Sequence, residues 1–345
     1  MIAFENLALR FLAAAGLSAV LIAIYLRLST RLRLVAVPRA DRWHSQPTPN
    51  SGGIAILISC AIVYGIAGRG QYGSIAFFAG AVSILGLIDD RVGLRPLVKF
   101  AGQSIAAIGV IASGVVFRPT GWNPFDLAIT YLWIAGITNA FNLIDNMDGL
   151  CAGVAIIIAG FRCWPAIQNG DIAGAQLLAT IAGAFFGFLI FNYKPARIFM
   201  GDAGSMFAGF SLACLAIASP VPNTRIFVSA ILGPALTFLY PIFDTMLVSV
   251  LRTTAGRPIS VGGRDHSSHR LASSRLGERR AVWVLWALAA LGSAAGAYTY
   301  RMPAGVLAIG GLLLIATAVF GVFLANLPAC QMPESPQARS HQMTH

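Results

Sequence analysis

Hydrophobic and polar positions in this chain fall into long apolar runs separated by short polar stretches. A helix needs about 20 mainly apolar residues to cross the hydrocarbon of a bilayer. Eleven runs approach that length: 7–26, 53–68, 73–88, 97–117, 127–143, 151–168, 172–191, 204–219, 226–250, 281–299 and 304–325. The pattern predicts an all-α fold, a polytopic integral membrane bundle of about eleven transmembrane helices. The first run is too long for the core of a typical cleaved signal. It meets a basic loop with no small-residue cleavage site between, so it reads as a retained span.

Composition agrees with the pattern. The chain is 57% hydrophobic and 11% charged, whereas soluble domains carry about 25% charged residues. The net charge of +11 would suit nucleic acid, but its distribution argues against that partner. With the N-terminus outside and the spans alternating, 18 of the 24 Lys and Arg fall on the cytoplasmic side. Positive residues collect there for topological reasons. The expected orientation is therefore N-terminus outside and C-terminus cytoplasmic, in a bilayer and without nucleic acid. Five cysteines show no CxxC pair and read as small buried hydrophobes. Residues 1–326 are expected to form one transmembrane domain, and the polar tail 327–345 to be disordered.

The acids follow the same side. Asp41, Asp89, Asp90, Asp145, Asp148, Asp202, Asp244, Asp265, Glu278 and Glu334 fall on or near the cytoplasmic face, and Glu5, Asp126 and Asp171 outside. Acids contribute little to orientation, so topology does not demand this. It points to chemistry at one membrane face.

Asp89 and Asp90 end the third run in "GLIDDRVGLRP". Adjacent carboxylates repel each other and are costly to desolvate, which a divalent cation relieves. Mg²⁺ is commonly held by one or two carboxylates plus substrate phosphates. The stretch "NAFNLIDNMDGL" places Asn139, Asn142, Asp145 and Asp148 at a helix exit. On a continuing helix Asn142, Asp145 and Asp148 form one polar ridge, which suits metal or sugar and nucleoside hydroxyls. A simple helix cap would use fewer such groups. No Lys or Arg lies between 119 and 161 to neutralise these acids.

"GDAGS" (201–205) opens the eighth run. Small residues before a helix can make an anion site from free N–H groups; Asp202 also reads as a plain N-cap. Asp244 lies within the ninth run, about two turns from its end, and an intramembrane carboxylate is a functional candidate by default. The loop "RPISVGGRDHSSHRLASSRLGERR" holds His266 and His269 among arginines. It lacks the further ligands zinc needs. Arg264 and Arg270 fit a phosphate clamp, or a positive-inside loop with incidental histidines. Arg39, Arg42 and His44 precede a Pro- and Gly-shaped entry to the second run.

Taken in order, these motifs resemble the polyprenyl-phosphate N-acetylhexosamine-1-phosphate transferases, also called glycosyltransferase family 4. The resemblance runs from about residue 34 to 271. It rests on Pro-x-Pro-x-x-Gly-Gly (47–53), Asp89-Asp90, the Asn/Asp motif (139–149), Gly-Asp-x-Gly-Ser (201–205), Phe243-Asp244 and the His loop (266–270). It implies transfer of a sugar 1-phosphate from a UDP-sugar to undecaprenyl or another polyprenyl phosphate, with Mg²⁺ (or Mn²⁺) and release of UMP. The setting it implies is the bacterial cytoplasmic membrane, with a homodimer as one assembly. Asp89, Asp90, Asp244 and His266 would be catalytic, and Asp89, Asp145 and Asp244 would serve the metal. Asn139, Asn142, Asp145, Asp148, Asp202, Arg264, His269, Arg270 and His44 would meet substrates.

Departures bear on the donor sugar. The loop reads His266-Ser267-Ser268-His269-Arg270 rather than the adjacent histidines of the phospho-N-acetylmuramoyl-pentapeptide branch. It is closer to the His-x-His-His-Arg of the GlcNAc-1-phosphate branch. Asp41-Arg42 stands where an Arg-Lys pair is usual. Two rival classes are an ion-coupled transporter, which places carboxylates at mid-membrane in paired broken helices, and an intramembrane Mg²⁺-dependent prenyltransferase, which expects two Asp motifs of wider spacing.

Overall fold

A computed structural model describes residues 2–32, 49–66, 71–218, 227–258, 263, 265–298 and 303–327. His44, Arg264 and the tail from 328 lie outside the described residues. The apolar runs fall on helices: α1 (Ile2–Leu32), α2 (Gly52–Ile66), α3 (Gly73–Val92), α4 (Pro96–Ala112), α5 (Asn123–Ile144), α6 (Leu150–Gln168), α7 (Ile172–Asn192), α8 (Gly201–Ala218), α9 (Phe227–Thr237), α10 (Leu239–Thr254), α11 (Ser267–Leu271), α12 (Gly277–Tyr298) and α13 (Pro303–Ala325). A π-helical turn, Ala272–Leu276, joins α11 to α12. Among the described residues, seven helices are long and apolar enough to cross a membrane, and one broken pair would make an eighth.

Burial separates centre from rim. α7 and α8 are buried on nearly every side, so their apolar residues need no amphipathic stripe. α13 instead shows Leu312, Leu314, Ile315, Val319 and Val322 to its surroundings, as a lipid-facing helix does. Small residues let the central helices approach closely. A Cβ on Gly53 would run into the backbone of Gly204, and one on Gly86 into that of Asp202–Ala203. The N-terminus of α8 is thus wedged between α2 and α3.

The entry to α2 is fastened to the same place. Phe199 N donates to Pro49 O (2.8 Å), and Gly52 N and Gly53 N donate to Phe199 O and Met200 O (both 2.9 Å). The first amides of α2 have no partners within their own helix, and the segment before α8 supplies them.

Two expectations change. The run 226–250 is not one straight span: α9 and α10 meet at 81°. Pro241 has no N–H to offer the Thr237 carbonyl four residues back. Ser293 Oγ of α12 donates to that carbonyl instead (3.0 Å), which is how a break is tolerated in an apolar setting. Secondly, Asn142, Asp145 and Asp148 do not share one helical ridge. α5 ends at Ile144, and Gly149 at φ +76° turns the chain straight into α6, a conformation open mainly to glycine. The three side chains are released to different neighbours.

Candidate active site

At the shared end of α3, α4, α5 and α8, two carboxylates, Asp89 and Asp202, meet one ammonium, and a third, Asp90, lies on the backbone of Asp202. Lys99 Nζ of α4 lies 3.0 Å from Asp89 Oδ2 and 3.0 Å from Asn142 Oδ1. It also pairs closely with Asp202. Asn142 Nδ2 donates to Asp202 Oδ1 (2.9 Å) and Ser205 Oγ (3.1 Å). Asp89 Oδ1 accepts from Leu94 N (2.6 Å), which closes the turn between α3 and α4.

Asp90 has a different task. Its Oδ1 accepts from Asp202 N (3.0 Å) and from Asn50 Nδ2 (3.1 Å), and its Oδ2 accepts from Ala203 N (3.3 Å). These are first-turn amides of α8, unpaired within the helix and at the positive end of its dipole. The anion site expected at "GDAGS" is therefore filled by a carboxylate of the protein itself. Asp202 is not the cap of its own helix; its side chain is turned to Lys99 and Asn142. Gly201 sits at φ +69°, and a Cβ there would strike the Asp90 carboxylate.

The turn after α5 ties this cluster to two loops. Asp148 Oδ2 accepts from Ala196 N (3.0 Å). Asn192 Oδ1 accepts from Gly149 N (2.9 Å), and its Nδ2 donates to Ile198 O (2.9 Å). Arg279 of α12 donates to Lys194 O (3.2 Å), and Lys194 pairs with Glu278. Burial, then the charge of Arg279, pulls the Lys194 ammonium below its ordinary value against the pull of Asp148.

A second acidic centre lies on α10. Asp244 is fully buried. Its Oδ2 is 2.7 Å from His266 Nδ1. Its Oδ1 accepts from Ser267 N (2.8 Å) and Ser267 Oγ (2.5 Å). A carboxylate on Nδ1 fixes the imidazole's orientation and favours the tautomer whose Nε2 accepts a proton. Ser268 Oγ donates to Asn146 Oδ1 (2.6 Å), joining the His loop to the α5–α6 turn. Asp265 anchors the start of the segment through Arg252 Nε (2.9 Å) and Arg257 (3.3 Å). Burial would raise its carboxyl, but Arg252 and Arg257 outweigh burial and hold it below the usual range.

Of the expected residues, Asp89, Asp90, Asp202 and Asn142 come together. Asp244, His266 and the neighbouring His269 form the second group, their imidazole rings 6.1 Å apart. Asp145 caps α5 and is half-buried, and Asn139 is exposed one turn earlier. Asp89, Asp145 and Asp244, expected as joint metal ligands, are like every other trio of acids, His or Cys among the described residues in forming no group that could hold a metal ion. Asp244 spends its oxygens on His266 and Ser267, and it is Asp202 that reaches Asp89 through Lys99. Arg270 is buried against α13 carbonyls rather than open as a clamp. Lys99, Asn50, Asn146 and Asn192 were missed as site residues. Lys99 carried a signal, since it and Lys194 are the chain's only lysines among 24 basic residues. A compact ammonium fits between carboxylates where a guanidinium fork does not.

The donor set fits a divalent cation. Two carboxylates against one ammonium leave an excess of one negative charge, and Asp89 Oδ2, Asp202 Oδ2 and Asn142 Oδ1 are the oxygens turned to that ammonium. Among the described residues no three His, Cys, Asp or Glu side chains form a complete metal cage. Mg²⁺ commonly takes one or two carboxylates and completes its shell with water and substrate phosphate, and Asp89 and Asp202 are the two carboxylates present for it.

Comparison with known proteins fits this geometry. The family model for glycosyl transferase family 4 matches residues 72–220, the segment from α3 through α8 that builds the first cluster. A probable undecaprenyl-phosphate N-acetylglucosaminyl 1-phosphate transferase of Bacillus subtilis is 33% identical over 276 residues, 75% of each chain. The decaprenyl-phosphate N-acetylglucosaminephosphotransferase of Mycobacterium tuberculosis is 32% identical, covering 90% of this chain and 88% of its own. A phospho-N-acetylmuramoyl-pentapeptide-transferase of Limosilactobacillus fermentum is 32% identical over a shorter stretch, 51% of this chain and 62% of its own. The chain belongs to glycosyl transferase family 4.

Proposed function

We propose that this protein transfers a HexNAc-1-phosphate, GlcNAc-1-phosphate by preference, from its UDP-sugar to undecaprenyl or a related polyprenyl phosphate. UMP is released, and the product initiates a cell-envelope polysaccharide. The observation that carries the proposal is the pair of carboxylates Asp89 and Asp202 about Lys99, with Asp90 on the α8 N-terminus beside them, linked through the α5–α6 turn to the Asp244–His266 pair. The undecaprenyl- and decaprenyl-phosphate N-acetylglucosamine-phosphate transferases to which the chain is similar support the donor and the polyprenyl acceptor.

The proposed topology is eleven passes with the N-terminus outside, the C-terminus and site at the cytoplasmic face, in the bacterial cytoplasmic membrane. Residues 1–326 act as one transferase domain. The clustering of acids at one end of the bundle favours this over an ion-coupled transporter, whose coupling groups belong at mid-membrane.

In the reaction, an oxygen of the lipid phosphate attacks the sugar-linked phosphorus, the bond to the nucleotide phosphate breaks, and UMP leaves. Little covalent work falls to the protein, so catalysis is positioning and charge neutralisation. Asp89, Asp202 and Asn142 would hold Mg²⁺, which when bound neutralises the diphosphate and improves UMP as a leaving group. Asp90 keeps the α8 N-terminus, and with it Asp202, in place. Lys99 balances the carboxylates before substrate arrives. Asp148 and Asn192 shape the two loops that flank the nucleotide. Asp244 orients His266 through Nδ1, which leaves Nε2 to accept a proton at the reacting phosphates or sugar.

The test is incubation of membranes with labelled UDP-GlcNAc and undecaprenyl phosphate, followed by butanol extraction. Lipid-borne label with an equal yield of UMP is expected. Label taken up by sealed vesicles with none on lipid would overturn the proposal, and a panel of UDP-sugars ranks the donor.

A further inference from the structure

We infer that Arg270 is a positioning residue that locks the histidine loop onto the end of the last helix, which makes α13 part of the catalytic apparatus as well as a membrane wall. The inference rests on the reading of the His266 loop as part of the transferase site.

Residues 265–270 are all polar, yet none is more than 5% exposed. Buried polar groups need partners, and those of this segment come from three directions. α10 supplies Arg252 to Asp265, and Asp244 to His266 and Ser267. The α5–α6 turn supplies Asn146 to Ser268. The third direction is α13. Arg270 Nη1 donates to Leu324 O (3.1 Å), Ala325 O (3.3 Å) and Leu327 O (2.9 Å). Its Nε donates to Asp265 O (3.1 Å), so the same side chain closes the segment on itself.

These carbonyls belong to the last turn of α13 and the residues just beyond it. Terminal carbonyls lack partners within a helix and carry the negative end of its dipole, which a cation satisfies. A guanidinium suits this, because it presents several donors in a rigid fork. α10 and the turn bring side chains with chemistry of their own, Asp244 and Asn146. α13 brings only backbone to Arg270, so its contribution here is place: it sets where the chain leaves His269. A guanidinium committed to four backbone oxygens is also poorly suited to clamp a substrate phosphate.

Three variants test this: Arg270→Met, Arg270→Lys, and Ala325→Pro, which disturbs the carbonyls from the α13 side by removing the Ala325 amide and unwinding the last turn of the helix. Hydrogen exchange of the full-length protein in detergent, without substrate, is read at 265–271 and at the buried helix 201–218. Arg270→Met and Ala325→Pro should each speed exchange at 265–271 about tenfold, the worth of roughly one lost charge-assisted hydrogen bond, and leave 201–218 unchanged. Arg270→Lys should fall between. Each change should lower kcat about tenfold with little change in KM for the UDP-sugar, and the double variant should be no worse than either alone, as for groups acting through one contact. Unchanged exchange with lost activity would put Arg270 on the substrate and overturn the inference, as would additive losses, or faster exchange with full activity. An inactive wild type would sink the transferase reading instead, and exchange alone would then decide the coupling of α13 to the loop.

Discussion

The two acidic centres are built in opposite ways. Around Lys99, two carboxylates, Asp89 of α3 and Asp202 of α8, meet a cation of the protein, and negative charge is left over. Around Asp244, one fully buried carboxylate is satisfied by a histidine and a serine with nothing to spare. The first centre is short of positive charge and suits binding a cation with phosphates. The second is saturated and suits aiming an imidazole. On the proposed function, metal and diphosphate belong at the excess acid and not at the deepest one.

The largest effect is expected where that charge is removed. Asp202→Asn leaves a side chain of the same shape without its charge, and UMP release at saturating substrate should fall about 1,000-fold, the scale of losing one preorganised electrostatic group. A chelator should abolish wild-type release, and added Mg²⁺ should restore it. At the second centre, His266→Ala should cost about 100-fold, the scale of a lost general acid–base. If Asp244 acts through His266, Asp244→Asn in the His266→Ala background should cost little more. Additive losses there would return Asp244 to the metal.

Lys99→Met sharpens the contrast. Removing the internal cation deepens the negative excess, so half-maximal activity should need less Mg²⁺ while kcat drops about tenfold through loss of a charged hydrogen-bond donor. A higher Mg²⁺ requirement would mean that Lys99 helps to build the cation site rather than balancing it. Asn146→Ala cuts the link from the α5–α6 turn to Ser268 and should cost only a few-fold, in keeping with one hydrogen bond of about 1 kcal/mol.

The smallest effect concerns pH. Asp265 titrates below its ordinary range when folded. Its pairing with Arg252 therefore contributes fully above the unfolded aspartate value of about 3.9 and is lost only as pH falls through the lower folded value. The difference in exchange at 265–271 between wild type and Asp265→Asn, which cancels the contribution of the two histidines, should be flat from pH 5 to 8. A rise within that window would contradict the pairing.

Much of the fold was legible because burial in lipid forces helices, and apolar run length reveals them. The break between α9 and α10 was not read, although Pro241 was in plain view. Proline leaves a carbonyl without a partner, but whether the helix breaks depends on a donor such as Ser293, 52 residues ahead of it in sequence. The motifs pointed to residues of both centres without showing how they group. Asp90 reaches the amides of Asp202 and Ala203 across more than a hundred residues, and only the packing of Gly53 and Gly86 against α8 allows that approach. Arg270 read as a phosphate clamp because its sequence neighbours are basic, and the α13 carbonyls that hold it leave no trace in composition.

The most direct measurement is single-turnover UMP release by the purified protein, mixed with UDP-GlcNAc and undecaprenyl phosphate, for wild type and Asp202→Asn under matched Mg²⁺. A wild-type burst with a matching yield of lipid-linked sugar phosphate, reduced about 1,000-fold in the variant, is the predicted result. Equal bursts in the two proteins would contradict the placement of the reaction at the Lys99 carboxylates.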